Sequence, residues 1–196
     1  MEDAGRLKQK PQPRCEPQDP ATMPQAWQQI LQRIPGDGLK GRYAPVNVLG
    51  TLMHSPDILG EFLDYWVTCK LKLTLSIREQ ELVILRMGVL YGSAYVWKHH
   101  VPVAIEFGIQ KEELAALRAS SLPAAFAKRE QALLEFTDTM VIHRDIDETV
   151  WGKYRDVLTQ RDVLDLIHLI SQYVLFALTN NVMRVELEKP LQEIND

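Results

Sequence analysis

Apolar residues recur along this chain three and four positions apart, the spacing of one helix face, and no alternating strand pattern separates its turn signals. From Pro24 to Arg33, Trp27, Ile30 and Leu31 fall on one side of a helix, and Gly36-Asp37-Gly38 ends it as a loop. The stretch from Tyr43 to Met53 is apolar and helical in part. Ser55-Pro56 is a helix start, with serine as N-cap and proline in the first turn. Ile58, Leu59, Phe62, Leu63, Trp66 and Val67 then keep helical spacing towards Lys70.

Ser76-Ile77-Arg78-Glu79 reads as a capping box, in which serine accepts from an orphan amide and glutamate reaches back to the cap. The helix after it carries Leu82, Ile84, Leu85, Val89 and Leu90 and is apolar nearly all round, which predicts a central position. Gly92 stops it. A new helix runs from Ser93 to Phe107 and ends at Gly108, a C′ glycine. Gln110 to Ala119 forms a short helix, Pro123 opens another that reaches Ile142, and Asp147 caps one that reaches Val157. Thr159, with Asp162 three residues on, starts the last long helix, to Val185. The pattern is that of an all-α multi-helix bundle of about eight helices.

Length and composition narrow this picture. The 196 residues, 46% hydrophobic and 24% charged, suit a globular chain with its own core. Residues 1–22 hold four prolines and almost no large apolar side chain, so a flexible tail is expected there, followed by a single helical domain over 23–196. A net charge of -4 and no basic stripe argue against a nucleic-acid surface. Charges break the longest apolar runs, so no membrane span is evident. The opening MEDAGRLKQKPQPR lacks an apolar signal core, and a cytoplasmic location is expected. Cys15 and Cys69 form no CxxC pair and no metal spacing, and the histidines show no HxH or HExxH, so no metal site or cofactor is expected.

The candidate chemistry lies between Ser76 and Ile109. Glu81 sits on the apolar helix, where a carboxylate is costly unless paired or protonated; otherwise it points to solvent beside Gln80. His100 shares a face with Ser93, Val96 and Ala104 and starts near the Glu81 helix, whereas His99 shares a face with Tyr95 and Val103. An acid and an imidazole brought together between two helices make a proton-transfer arrangement. Ser93 reads first as an N-cap; as a nucleophile it would sit two turns from His100, roughly 10 Å along the axis, which argues against a serine hydrolase. Tyr91, Tyr95 and Trp97 read as core or pocket wall. His168, Tyr173 and Asn180 interrupt the apolar stripe of the last helix and read as packing residues with a hydrogen bond, or as subunit contacts.

The run from Arg78 to Leu117 resembles the core of the carboxymuconolactone decarboxylase family, whose superfamily includes the AhpD-like alkylhydroperoxidases. The likeness is carried by REQELVIL, the Gly92 break, the terminal histidine and GIQKEELAAL. It implies an AhpD-like helical bundle that assembles as a homotrimer or homohexamer. Glu81 matches the family's glutamate and His100 its histidine. The hydroperoxidase branch has a CxxC pair where this chain has Ser93 and Val96, and neither can form a disulfide or a sulfenic acid. The decarboxylase branch carries an acidic residue at the position of Val96. The resemblance therefore implies a third branch.

The expected activity is a cofactor-free lyase or isomerase on a small carboxylated or enolisable compound. His100 and Glu81 would be the catalytic pair. Tyr95, Trp97, His99 and Ser93 would line the substrate site. Two alternatives stand beside it. One is a peroxidase-related redox protein using Cys69, outside the motif. The other is a binding or assembly protein that kept the fold and lost the chemistry.

Overall fold

The computed structural model describes residues 12–34 and 44–192. The helices are α1 (Gln25–Leu31), α2 (Val46–Leu52), α3 (Pro56–Lys72), α4 (Ile77–Leu90), α5 (Ala94–Glu106), α6 (Lys111–Leu117), α7 (Lys128–His143), α8 (Glu148–Tyr154), α9 (Gln160–Met183) and the short α10 (Lys189–Gln192). A 3₁₀ turn at Pro20–Thr22 precedes them, and no strand occurs among the described residues. The predicted all-α class and most element starts agree. The expected Gly36-Asp37-Gly38 loop lies outside the described residues.

Two starts and ends differ from expectation for local reasons. The helix expected from Pro123 begins at Lys128, because the Glu130 carboxylate accepts from the Ala127 amide at 3.2 Å, while Ala125 N–H turns back to the Pro123 carbonyl. The last long helix stops at Met183: Arg184 takes a φ of 56° and the Val185 amide returns to the Asn180 carbonyl at 3.1 Å.

The chain divides into two compact units, one holding Leu73–Ala177 and the other Gln9–Lys72 with Leu178–Asp196. In the second unit α1 packs on α3, with the Trp27 indole lying over Gly60. The described part of the segment expected as a tail is tied down here: Arg14 N–H donates to the Met183 carbonyl and Gln18 N–H to the Gly50 carbonyl.

In the first unit α4 packs against α5, α6 and α7. Every residue of α4 from Gln80 to Val89 is buried, as its all-round apolarity predicts. Leu82, Leu85 and Val89 of α4 meet Trp97, Ala104, Ile109, Leu117 and Leu134 in one cluster. Helix α9 is long and apolar enough for a membrane span, with a mean hydropathy of 1.4, yet 56% of that window is buried inside the protein. It serves as a core helix.

The helix starts of this unit are cross-linked by charge. Glu79, Glu113, Glu130 and Asp162 each accept from the backbone amide at the start of their own helix, α4, α6, α7 and α9. Arg78 of α4 then pairs with Glu113 and Glu130, and Arg129 of α7 pairs with Glu79 and Asp162. The first pairs of α4 and α7 thus hold the caps of four helices together. The Arg129 guanidinium, with hydrogen bonds from Thr159 and Thr74, holds the Asp162 carboxyl far below its ordinary range against the opposing effect of burial.

A buried arginine fixes the middle of α4. The Arg86 side chain is 2% exposed and forks onto Asp138 of α7 at 2.6 and 2.7 Å. It also donates to the carbonyls of Leu117 and Ala119 at 2.7 and 2.8 Å, closing the end of α6. Arg86→Met should cost about 3–5 kcal/mol, because a carboxylate and two carbonyls lose their donor. Arg86→Lys should recover only part, since an ammonium cannot make the fork. Urea unfolding midpoints check both; unchanged midpoints would show that the network adds nothing.

Asp162 gives a pH-dependent expectation. Its folded pKa lies below the unfolded value, so its stabilisation is full above about pH 4 and is lost as pH falls. Asp162→Asn should therefore cost roughly 2 kcal/mol at neutral pH. The gap to wild type should narrow by pH 3. Equal gaps at both pH values would show that the charge on Asp162 is not what stabilises.

Candidate functional site

The site is set by the turn between α4 and α5. Gly92, at a φ of 59°, takes the left-handed conformation that ends α4, with Gly92 N–H donating to the Val89 carbonyl and Ser93 N–H to the Gly88 carbonyl at 2.8 Å. Ser93 then starts α5, its hydroxyl accepting from the Val96 amide. The two helices run back along one another so closely that a Cβ at Gly88 would lie 3.3 Å from the Trp97 amide nitrogen. Glu81 lies about two helical turns before Gly88 on α4, His100 lies less than one turn after Trp97 on α5, and the two side chains meet across the helix pair.

The His100 Nδ1 is 2.7 Å from Glu81 Oε2, with the glutamate side chain 1% exposed and the histidine 18% exposed. The other ring nitrogen, Nε2, is 3.2 Å from the hydroxyl of Tyr173, brought in by α9. The Tyr173 ring stands edge-on to the imidazole, with centroids 5.2 Å apart. Burial pushes the Tyr173 hydroxyl well above its ordinary pKa, and the Glu81 carboxylate adds to the rise. A phenol that keeps its proton donates to Nε2, which makes Nε2 the acceptor and Nδ1–H the donor to Glu81. Partner chemistry thus assigns one tautomer to a chain of three groups. It can pass a proton between a basic nitrogen and a buried carboxylate.

The remaining candidates separate from this chain of groups. His99 stacks on Tyr95, with centroids 4.3 Å apart and planes 28° apart, on another side of α5 from the Glu81 pairing. Trp97 is 2% exposed within the apolar cluster, with the Arg118 guanidinium over its ring at 5.6 Å. Ser93 is fully buried and acts as an N-cap, and Val96 is 3% exposed. Cys69 is buried in α3, in the unit that does not hold Glu81 and His100. Among the described residues no cluster of His, Cys, Asp or Glu could hold a metal.

Two polar residues were hidden from the sequence reading. Tyr173 stood out only as a polar break in an apolar stripe, the signal that could have found it. Arg86, inside VILRMGVL, offered a similar one: a charge in a run that must be buried has to have partners.

Residues 58–139 match the carboxymuconolactone decarboxylase family. No curated protein matches the chain. A solved peroxidase-related protein from Silicibacter sp. TM1040 shares the fold at a TM-score of 0.72, 15% identity and 95% coverage of both chains. The debrominase Bmp8 matches at a TM-score of 0.71 and 12% identity, over 90% of this chain and 93% of that one. A protein of unknown function from Agrobacterium tumefaciens, named in connection with the antioxidant defence protein AhpD, matches at a TM-score of 0.64 and 14% identity, over 70% of this chain and 94% of its own. Glu81, His100 and the helices that carry them lie inside the segment that matches the carboxymuconolactone decarboxylase family, and the chain shares the fold of these solved structures.

Proposed function

We propose that this protein is an acid–base enzyme, a lyase or isomerase acting on a small carboxylated or enolisable compound. The observation that supports it most is the Glu81–His100 pair, a 2.7 Å contact between a buried carboxylate and a partly exposed imidazole. In this reading His100 Nε2 takes or returns a substrate proton, and Glu81 stabilises the imidazolium that forms. Ser93 and Val96 supply no thiol, which speaks against the CxxC route. A peroxidase-related reaction would fall to Cys69, which is 7% exposed and so shielded from peroxide. The debrominase neighbour has been solved, as a Cys-to-Ala variant, in complex with 2,3,4-tribromopyrrole. Small flat rings are therefore sensible first probes.

The test is a panel of β-keto acids, unsaturated lactone acids and halogenated pyrroles in deuterated water, followed by NMR for turnover or carbon-bound deuterium. At least one compound should react. His100→Ala should lower that rate roughly 10²–10⁴-fold, the usual contribution of a positioned acid or base. Glu81→Gln, which keeps the shape, should lower it as well. A rate untouched by His100→Ala, in a variant with the wild-type circular dichroism spectrum, would sink the proposal. No turnover anywhere on the panel would favour the non-catalytic reading.

We also propose that copies of the chain associate through α9. Leu164, Ile167 and Leu175 lie on one helical face and are 57%, 43% and 37% exposed. Light scattering should show a trimer or hexamer, and Ile167→Asp with Leu175→Asp should dissociate it. A monomeric wild type would rule this out.

A further inference from the structure

The Tyr173 hydroxyl occupies the one lone pair through which His100 could act. Glu81 holds Nδ1, so the free base of this imidazole is Nε2, and the phenol sits 3.2 Å from it. Tyr173 belongs to α9 and lies outside the matched segment 58–139. It is 5% exposed, packed edge-on to the imidazole and tilted against Phe176 at 5.7 Å. A phenolate there would be buried in the field of the Glu81 carboxylate, so Tyr173 keeps its proton and is a poor acid. Its hydroxyl can donate to Nε2 but has little capacity to serve a substrate.

We propose that Tyr173 is a built-in guard of the basic nitrogen: its hydroxyl fills the place of a ligand's proton donor, and a productive ligand must bring its own polarised O–H or N–H to displace it. The ligand class is then phenols, enols and pyrrole-like rings, and apolar rings of the same shape are rejected because they would leave Nε2 without a donor. Tyr173 is in these terms a positioning residue that selects for donors. The inference rests on reading His100 as the base of the site, but its test needs no substrate. A failed substrate screen and a failed guard are therefore separate results.

Diethyl pyrocarbonate reads the state of Nε2 directly. The nitrogen forms a bond to a carbonyl carbon, the Nδ1 proton leaves, and the expelled ethyl carbonate falls apart to carbon dioxide and ethanol. Peptide mass spectrometry separates modification of His100 from that of His99, with His54, His143 and His168 as internal references. In wild type His100 should react slowly. Tyr173→Phe keeps the ring and removes the hydroxyl, and it should speed modification of His100 about tenfold, what one ordinary net hydrogen bond is worth. In Tyr173→Ala, added phenol should slow the reaction again, whereas toluene should not. No acceleration in Tyr173→Phe would overturn the proposal. Equal protection by phenol and toluene would overturn it too, since packing alone would then account for Tyr173.

Discussion

Two arginines near helix starts hold the first unit of this protein in register. Each carboxylate that Arg78 and Arg129 bind is already spent on a backbone amide, so one group satisfies a helix end and an ion pair at once. A carboxylate at a helix N-terminus is favoured by the orphan amides and the helix dipole, and a guanidinium beside it removes the remaining cost of partial burial. Because Arg78 lies on α4 and Arg129 on α7, each of these helices binds the cap of the other directly or through the next helix start. The direction in which α4 enters the core is fixed by these bonds before any apolar packing is counted.

That direction matters because α4 is buried on every side and carries two charged groups inward. Arg86 is satisfied by Asp138 and two carbonyls, a closed set that ties α4 to α7 and to the end of α6. Glu81 is satisfied differently. Its partner is an imidazole that is itself partly exposed and bonded to a phenol. The contrast separates a structural charge from a chemical one: the first is closed by a carboxylate and two backbone carbonyls, the second by a partly exposed imidazole.

The glycine turn accounts for why the pair forms at all. With Gly92 reversing the chain and Ser93 serving both as the end of α4 and as the cap of α5, the two helices are held at one distance and one register. Ser93 thus has a full structural role. The same Oγ that a nucleophile would need is committed to the Val96 amide.

Much of this was legible along the chain. The capping box at Ser76, the helix start at Thr159, the Gly92 and Gly108 stops, the central place of α4 and the placing of Glu81 and His100 on successive helices all follow from local rules. Spacing, caps and glycine conformation act within a few residues of sequence. The start of α7 at Lys128 rather than Pro123 escaped, because a carboxylate cap outweighed the usual proline signal. Trp97 and Ser93 read as possible site residues and are filled core and cap instead, since a helix position shows which face a side chain takes but not what lies opposite. Tyr173 comes from 73 positions beyond His100, and the partners of Arg86 from 31 to 52 positions beyond it. The sequence by itself determined most of the helices and placed one acid and one imidazole on neighbouring helices. Only the tertiary structure decided that a phenol closes that pair, because contacts of such separation are set by how helices pack and leave no local periodicity to read.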